Sequence, residues 1–340
     1  MNSSKLKIVF FQRKQRALGN FSIESYFTQV RDNLPNRFSP KLCIVPFESN
    51  GIIKRFFNAV YCVFHQGDIN HITGDIHYIA IFLKKQKTVL TVHDCGILHS
   101  STGIKQAIIK YFWFTLPISR CAAVTCVSQA TKKDLAQYVN LNGKRVDVIY
   151  VSISTSFRKN DKKFNNKIPQ VLQIGTGYNK NLLNLIPALE NINCRLVIVG
   201  KIDNSILELL AKFNINYLNL SHKLSEQEII QLYIDSDIVA FVSTLEGFGM
   251  PIIEANVIGR VVMAGKNSSM IEVANDAAYF VNALDIKDIH IGFQEVIQNK
   301  ELRQKLVNNG FRNALRFDIG KIVDNYCDIY DWLWKNQTKI

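Results

Sequence analysis

Short apolar runs of strand length alternate with amphipathic stretches along the whole chain. Lys7–Phe11, Leu42–Pro46, Thr88–Val92, Ala122–Val127 and Val146–Val151 read as strands in the first half. Val171–Gly175, Arg195–Gly200, Asn216–Leu220, Asp237–Val242 and Arg260–Ala264 do so in the second. Helical patterns separate them, opening near Ser22, over Gly51–Phe64 and Gly103–Arg120, after Ser128 and after Pro251, and filling the last sixty residues. Strands alternating with helices predict an α/β fold with parallel sheets. Residues 156–168 are polar and basic with little apolar pattern, and they read as a linker. The expected organisation is a first domain over 1–155, a linker over 156–168, a second domain over 169–318 and a terminal helix over 319–340.

The most informative stretch runs from Asp237 to Ala255. An apolar run rich in β-branched residues leads into Leu245-Glu246-Gly247-Phe248-Gly249-Met250-Pro251 and then a helix. Pro251 suits a first helical turn, where a missing N–H costs nothing. Gly247 and Gly249 let the backbone approach a ligand closely, and a helix start aims N–H groups at an anion. Glu246 then lies at the carboxyl edge of the sheet and Glu254 in the first turn of the helix. Two carboxylates beside a phosphate cradle suit a ligand with both phosphates and hydroxyls, such as a sugar nucleotide. The bland alternative is an ordinary strand-to-helix turn with two solvated glutamates.

Gly175-Thr176-Gly177 repeats the plan after Val171–Ile174, with Lys180 at the following helix start, which makes a diphosphate site in physical terms. Gly19 and Asn20 form a loop at the carboxyl end of the first strand, where open α/β sheets bind ligands. His93 ends a buried-strand pattern and stands at the mouth of the sheet. His71, Asp75 and His77 hint at a metal site, but the ligand set is not completed locally. Asp235-Ser236-Asp237 spells D-x-D, yet it joins a helix end to a strand and reads as a turn or cap.

Glu246 and Glu254, with seven residues between them and Gly-Phe-Gly-Met-Pro after the first, resemble the E-x7-E signature of glycosyltransferase family 4, in its bacterial surface-polysaccharide type. That resemblance implies a GT-B architecture, two Rossmann-like doubly wound domains facing across a cleft, with the C-terminal helix crossing back. It implies transfer of a sugar from a nucleotide-diphosphate donor to a hydroxyl acceptor with retention, needing no cofactor and no metal. On it, His93 and Glu246 are the catalytic candidates. Gly19, Asn20, Gly175, Thr176 and Lys180 lie toward the donor phosphates, Lys223 and Leu224 near the base, Gly247, Phe248, Gly249 and Met250 at the phosphate cradle, and Glu254 on the ribose. The chain departs from the family where Asn20 replaces a frequent second glycine and where Lys180 lacks the frequent arginine partner. Ser128 and Thr131 resemble the family's V-S-x-x-T step. The terminal aromatics Tyr330, Trp332 and Trp334 read as interdomain packing.

Composition narrows the class. Of 340 residues, 47% are apolar and 20% charged, as in globular proteins rather than disordered ones. Seven scattered cysteines without a C-x-x-C pair read as reduced thiols, neither a disulfide framework nor a zinc site. No signal peptide and no spanning apolar run are legible, so a cytoplasmic protein is expected. The net charge of +13 is uneven, because residues 1–160 hold 22 Lys/Arg against 8 Asp/Glu while 161–340 hold 19 against 20. A basic first half suits an anionic partner, namely nucleic acid, an acidic membrane surface or a phosphate-bearing, lipid-linked saccharide acceptor, and the bland alternative is a basic surface that only aids solubility. Gly103–Arg120, basic and aromatic, fits a helix lying on a membrane or a core helix showing its lysines to water. Two other function classes stay open: other sugar-nucleotide chemistry such as an epimerase or hydrolase, and nucleic-acid binding, against which stands the lack of any recognised module.

Overall fold

The computed structural model describes residues 5–14 and 22–337. The chain divides into two compact units, Met1–Ser154 with Asp318–Ile340, and Thr155–Phe317.

In the first unit, β1 (Leu6–Gln12), β2 (Phe38–Ile44), β3 (Ile69–Ile72), β4 (Thr88–Val92), β5 (Ala123–Cys126) and β6 (Arg145–Val148) form one parallel sheet in the order β2-β1-β3-β4-β5-β6. The strand order reverses between β1 and β3, which opens a crevice at their carboxyl ends. β2 begins four residues before the expected Leu42 because Pro40 sits on the sheet's edge, where its missing N–H breaks no ladder bond. The helical stretch after Gly103 is three segments, with a π-helical turn at Lys110–Thr115 between Gly103–Ile109 and Leu116–Ser119.

The terminal helix Ile319–Gln337 belongs to this unit. Its Tyr326 and Tyr330 are fully buried against His71, with Phe10 and Phe38 also on Tyr330. His71 Nδ1 meets Tyr330 Oη at 2.7 Å and Nε2 meets Thr91 Oγ1 at 2.8 Å. Burial and the neighbouring His93 push the His71 imidazole down to about 3, so it is neutral. Of the terminal aromatics, Tyr330 lies in the core of this unit, Arg145 stacks on Trp332 at 4.8 Å, and Trp334 stays half-exposed.

In the second unit, β7 (Gln170–Ile174), β8 (Arg195–Val199), β9 (Tyr217–Leu220), β10 (Ile238–Phe241), β11 (Val261–Gly265) and β12 (Tyr279–Val281) form a parallel sheet ordered β12-β11-β10-β7-β8-β9. The reversal falls between β7 and β10, the doubly wound pattern whose ligand crevice lies at those two carboxyl ends. Val171, Leu196, Ile198, Ala240 and Met263 fill one face with helix residues such as Leu185, Ile289 and Phe293.

Residues 156–168 carry no regular element, but they are tied to the second unit. Phe157 is buried against Tyr233, and Arg303 stacks on Phe164 at 4.0 Å. Asp237 anchors the stretch: its carboxylate accepts from Lys162 Nζ at 2.6 Å, Asn165 N at 3.1 Å and Gln170 N at 2.8 Å. The D-x-D sequence is thus a structural clasp. No described helix is long and apolar enough to cross a membrane.

Candidate active site

The loops after β7 and β10 meet at the strand-order reversal and are stitched together. Thr244 N donates to Asn179 O at 2.9 Å, and Asn179 Nδ2 donates to Leu245 O at 2.9 Å and to Glu246 Oε1 at 3.2 Å. Lys180 Nζ lies 2.6 Å from Glu246 Oε1 and 4.7 Å from the centroid of Phe241. Gly175 has φ +88, and a Cβ there would stand 3.0 Å from Lys180 Cε. Only a glycine lets the lysine stem lie across that turn. Asn181, itself left-handed at φ 62, donates to Val242 O and Ala283 O at 3.0 and 2.6 Å, locking the start of the next helix to both neighbouring loops.

Gly249, at φ 117, caps the helix Met250–Ile258. Its missing Cβ leaves room for Ile252 and Phe241, which would stand 3.2 and 3.3 Å from one. The Phe248 side chain is buried against Phe317, which takes it out of ligand contact. Helix bounds of Met250–Ile258 put Glu254 at the opening of the second turn rather than in the first. Tyr233 Oη donates to Glu254 Oε2 at 2.5 Å. Burial pushes the Glu254 carboxyl up to about 7 against the pull of Tyr233 and of Lys180's charge, with Glu226 adding to the rise. From the third side, Ser269 Oγ donates to Glu246 O at 2.7 Å and fixes the backbone of the glutamate.

The second unit therefore brings Gly175, Lys180, Glu246, Gly247–Met250 and Glu254 into one site. Thr176 borders it, but its hydroxyl donates to Lys201 O at 2.6 Å, which leaves the backbone for any phosphate contact. Lys223 and Leu224 lie in the loop before the helix Glu226–Asp235, whose Glu226 is felt electrostatically at Glu254. Gly19 and Asn20 lie outside the described residues.

His93 belongs to the first unit, just past β4. Its Nε2 meets Thr73 O at 2.7 Å. A carbonyl only accepts, so Nε2 carries the proton and Nδ1 is an acceptor when the ring is neutral. Thr131 Oγ1 donates to His93 O at 3.3 Å, and Ser128 Oγ accepts from Thr131 N as the cap of the helix Gln129–Tyr138, so the V-S-x-x-T step acts as a cap and brace. The His71, Asp75 and His77 trio is committed elsewhere: His71 to Tyr330 and Thr91, Asp75 to Arg13, and His77 Nδ1 to Trp113 O at 2.9 Å. No group of three or more His, Cys, Asp or Glu among the described residues could hold a metal.

Tyr233 did not stand out in the sequence, and Asn179 and Ser269 fall in stretches that resemble the family's phosphate-side turns without being named as site residues. Asn179 and Ser269 each carry a weak signal, a polar residue at the start of a helix after a strand. Tyr233 carries none, since an apolar helix face is what its neighbours predict.

A model described as "Glycosyl transferases group 1" matches residues 154–313, and one described as "Glycosyltransferase Family 4" matches residues 28–157. The O-antigen chain mannosyltransferase RfbU of Salmonella typhimurium is 26% identical over 253 residues, covering 71% of this chain and 68% of that protein. The N,N'-diacetylbacillosaminyl-diphospho-undecaprenol alpha-1,3-N-acetylgalactosaminyltransferase of Campylobacter jejuni is 26% identical over 132 residues, 38% of this chain and 34% of that one. Among solved structures, Anabaena HepE in complex with UDP and glucose superposes with a TM-score of 0.74 at 16% identity, covering 96% of this chain and 99% of that one. WaaG, a glycosyltransferase involved in lipopolysaccharide biosynthesis, superposes at 0.70 with 14% identity over 95% and 99%. At those identities the structures speak for the fold, and the two sequence models add glycosyltransferase similarity along residues 28–313. The chain is a glycosyltransferase of the GT-B type.

Proposed function

We propose that the protein transfers a sugar from a nucleotide-diphosphate donor to a hydroxyl of a lipid-linked saccharide, with retention and without a bound metal, in surface-polysaccharide assembly at the inner face of a membrane. The observation that carries this reading is the pair Lys180–Glu246 at the β7/β10 crevice, with Glu254 one helix turn beyond it. A departing diphosphate needs positive charge that is already in place. Lys180 and the N–H of Met250 at the helix start supply it at the point where charge develops. Glu254, oriented by Tyr233, accepts the ribose hydroxyls. Glu246, held by Asn179 and Lys180, accepts from the hydroxyls of the donor sugar. His93, just past β4 in the first unit, is the other catalytic candidate.

As the glycosidic C–O bond to the phosphate breaks, the acceptor oxygen bonds the anomeric carbon from the same face. The acceptor's proton passes to the leaving phosphate oxygen. No separate base is required, which agrees with Glu246 being engaged by a lysine. The names of the relatives, an O-antigen mannosyltransferase and a transferase acting on a diphospho-undecaprenol, support the lipid-linked acceptor. HepE's complexes with UDP and UDP-glucose support a nucleotide-sugar donor.

The test is a thermal-shift screen of UDP-, GDP-, ADP- and CMP-sugars on wild type and Glu254→Ala. One nucleotide class should raise the melting temperature of wild type and not of the variant. No shift with any of them overturns the reading. Retention is checked by the anomeric configuration of the product, and metal independence by activity that survives EDTA.

A further inference from the structure

The first unit carries a helix whose polarity is turned inside out. In Ile52–Val63 the buried residues are Asn58, Ala59 and Cys62. Asn58 anchors the helix inward by bonding Phe47 N, Phe47 O and Tyr78 Oη at 2.9–3.0 Å. The large apolar side chains face out: Ile52 is 83% exposed, Ile53 72%, and Phe56 and Phe57 more than half. The helix Gly103–Ile109 has no buried residue at all, with Ile104 81% exposed, and the π turn after it exposes Tyr111 and Phe112. The two stretches are neighbours, because Arg55 of the first helix stacks on Trp113 of that π turn at 4.9 Å. Phe82, packed edge-on against Phe56, extends the same surface.

Left in water, so much exposed apolar surface on neighbouring elements is a liability, which marks it as a contact face. Its charge says with what. Residues 51–64 and 103–120 contain Lys54, Arg55, Lys105, Lys110 and Arg120 and not one Asp or Glu. Exposed Ile and Phe among cations with long apolar stems match the face of a helix lying in a lipid interface.

We infer that this two-helix platform inserts shallowly into an anionic phospholipid surface. The inference deepens the lipid-linked-acceptor reading by naming the face that holds the enzyme at its substrate, and it goes beyond a general attraction of a basic domain. Attraction alone would vanish in salt, whereas insertion of apolar side chains would not.

The experiment is flotation of the full chain with vesicles of phosphatidylglycerol and phosphatidylethanolamine in equal parts, against pure phosphatidylcholine. Wild type should float with the anionic vesicles and keep a substantial bound fraction in about 0.5 M NaCl. Combined Ile52→Ser, Phe56→Ser, Ile104→Ser and Phe112→Ser should weaken binding at least tenfold while preserving the nucleotide-sugar thermal shift. Lys54→Gln with Lys105→Gln and Lys110→Gln should weaken it at low salt. A second readout does not depend on the serine variant: with Trp332→Phe and Trp334→Phe, Trp113 is the remaining indole of three and should be quenched by brominated lipid. Absence of wild-type flotation, unchanged binding of the serine variant, or an unquenched Trp113 would overturn the inference. So would a dimer that the serine substitutions dissociate, which would assign the face to a second copy. Vesicle binding that persists without any nucleotide-sugar shift would sink the enzymatic reading and leave the platform standing.

Discussion

Lys180 and Glu246 lie 66 positions apart in the chain and 2.6 Å apart in space, Nζ to Oε1. Each comes from a loop that follows a central strand, and the pairing exists because β7 and β10 are neighbours at the reversal of strand order. A lysine held ready beside a carboxylate costs no reorganisation when a diphosphate arrives.

Replacing that lysine is therefore the sharpest test of the site. Lys180→Met keeps the stem over Gly175 and removes the charge. It should lower kcat/KM by about 100- to 1,000-fold, on the order of 3–4 kcal/mol of transition-state stabilisation. The nucleotide diphosphate should lose more affinity than the corresponding nucleoside. Near-normal turnover of the variant would remove Lys180 from the phosphate path.

Glu254 gives a pH signature. Its carboxyl rises from 4.5 to about 7 in the folded protein, so folding takes up a proton between those values and stability falls as pH rises through them. The cost above pH 7 is at most about 3 kcal/mol. Glu254→Gln should melt higher than wild type at pH 8, with the two converging as pH falls toward about 4.5. If the carboxylate accepts ribose hydroxyls, nucleotide affinity of wild type should climb through pH 7 while that of the variant stays flat.

Tyr233→Phe removes the hydroxyl that orients Glu254. It should weaken nucleotide-sugar binding by roughly tenfold and leave the turnover of bound donor largely intact. A fall in kcat with unchanged KM would show that Tyr233 acts on the chemical step instead.

Asp237→Ala separates a structural aspartate from a metal ligand. It removes the acceptor shared by Lys162 and the Asn165 and Gln170 N–H groups, while Lys162 keeps Asp235 O at 2.7 Å, so it should cost about 1–3 kcal/mol and lower the melting temperature. Added Mn²⁺ or Mg²⁺ should change neither wild-type activity nor the variant's stability. A metal-dependent rescue would contradict the clasp.

The first unit has its own titration. His71 is held near 3 against an ordinary 6.5, so the native state refuses a proton that the unfolded chain accepts, and stability is lost as pH falls below 6.5. His71→Gln should be less stable at neutral pH yet lose less melting temperature between pH 7 and 5. Tyr330→Phe, which leaves His71 Nδ1 unpartnered, should cost about 1–3 kcal/mol.

Much of this was legible because it is local. The β10 strand, its glycine loop and the helix at Pro251 follow from an unbroken apolar run, from helical patterning and from residues whose backbone preferences are fixed by their own covalent structure. Lys180, Glu246 and Glu254 could thus be named as candidates from the residues around them. Their arrangement could not. That Glu246 pairs with Lys180, that Glu254 is raised by burial and held by Tyr233, and that His71 is a core residue rather than a ligand all depend on strand order and on helices packed from elsewhere. Residues 156–168 show the same limit: their polar side chains read as a linker, because the carboxylate of Asp237 that gathers them lies some 70 positions away. The outward-facing Ile and Phe of Ile52–Val63 show it again. Its amphipathic pattern states that one face is apolar, and only the anchoring of Asn58 decides that this face points away from the core. Local propensity and periodicity determined which elements form and which residues could do chemistry. Burial and pairing between distant segments, which no window of sequence contains, decided what each of those residues touches.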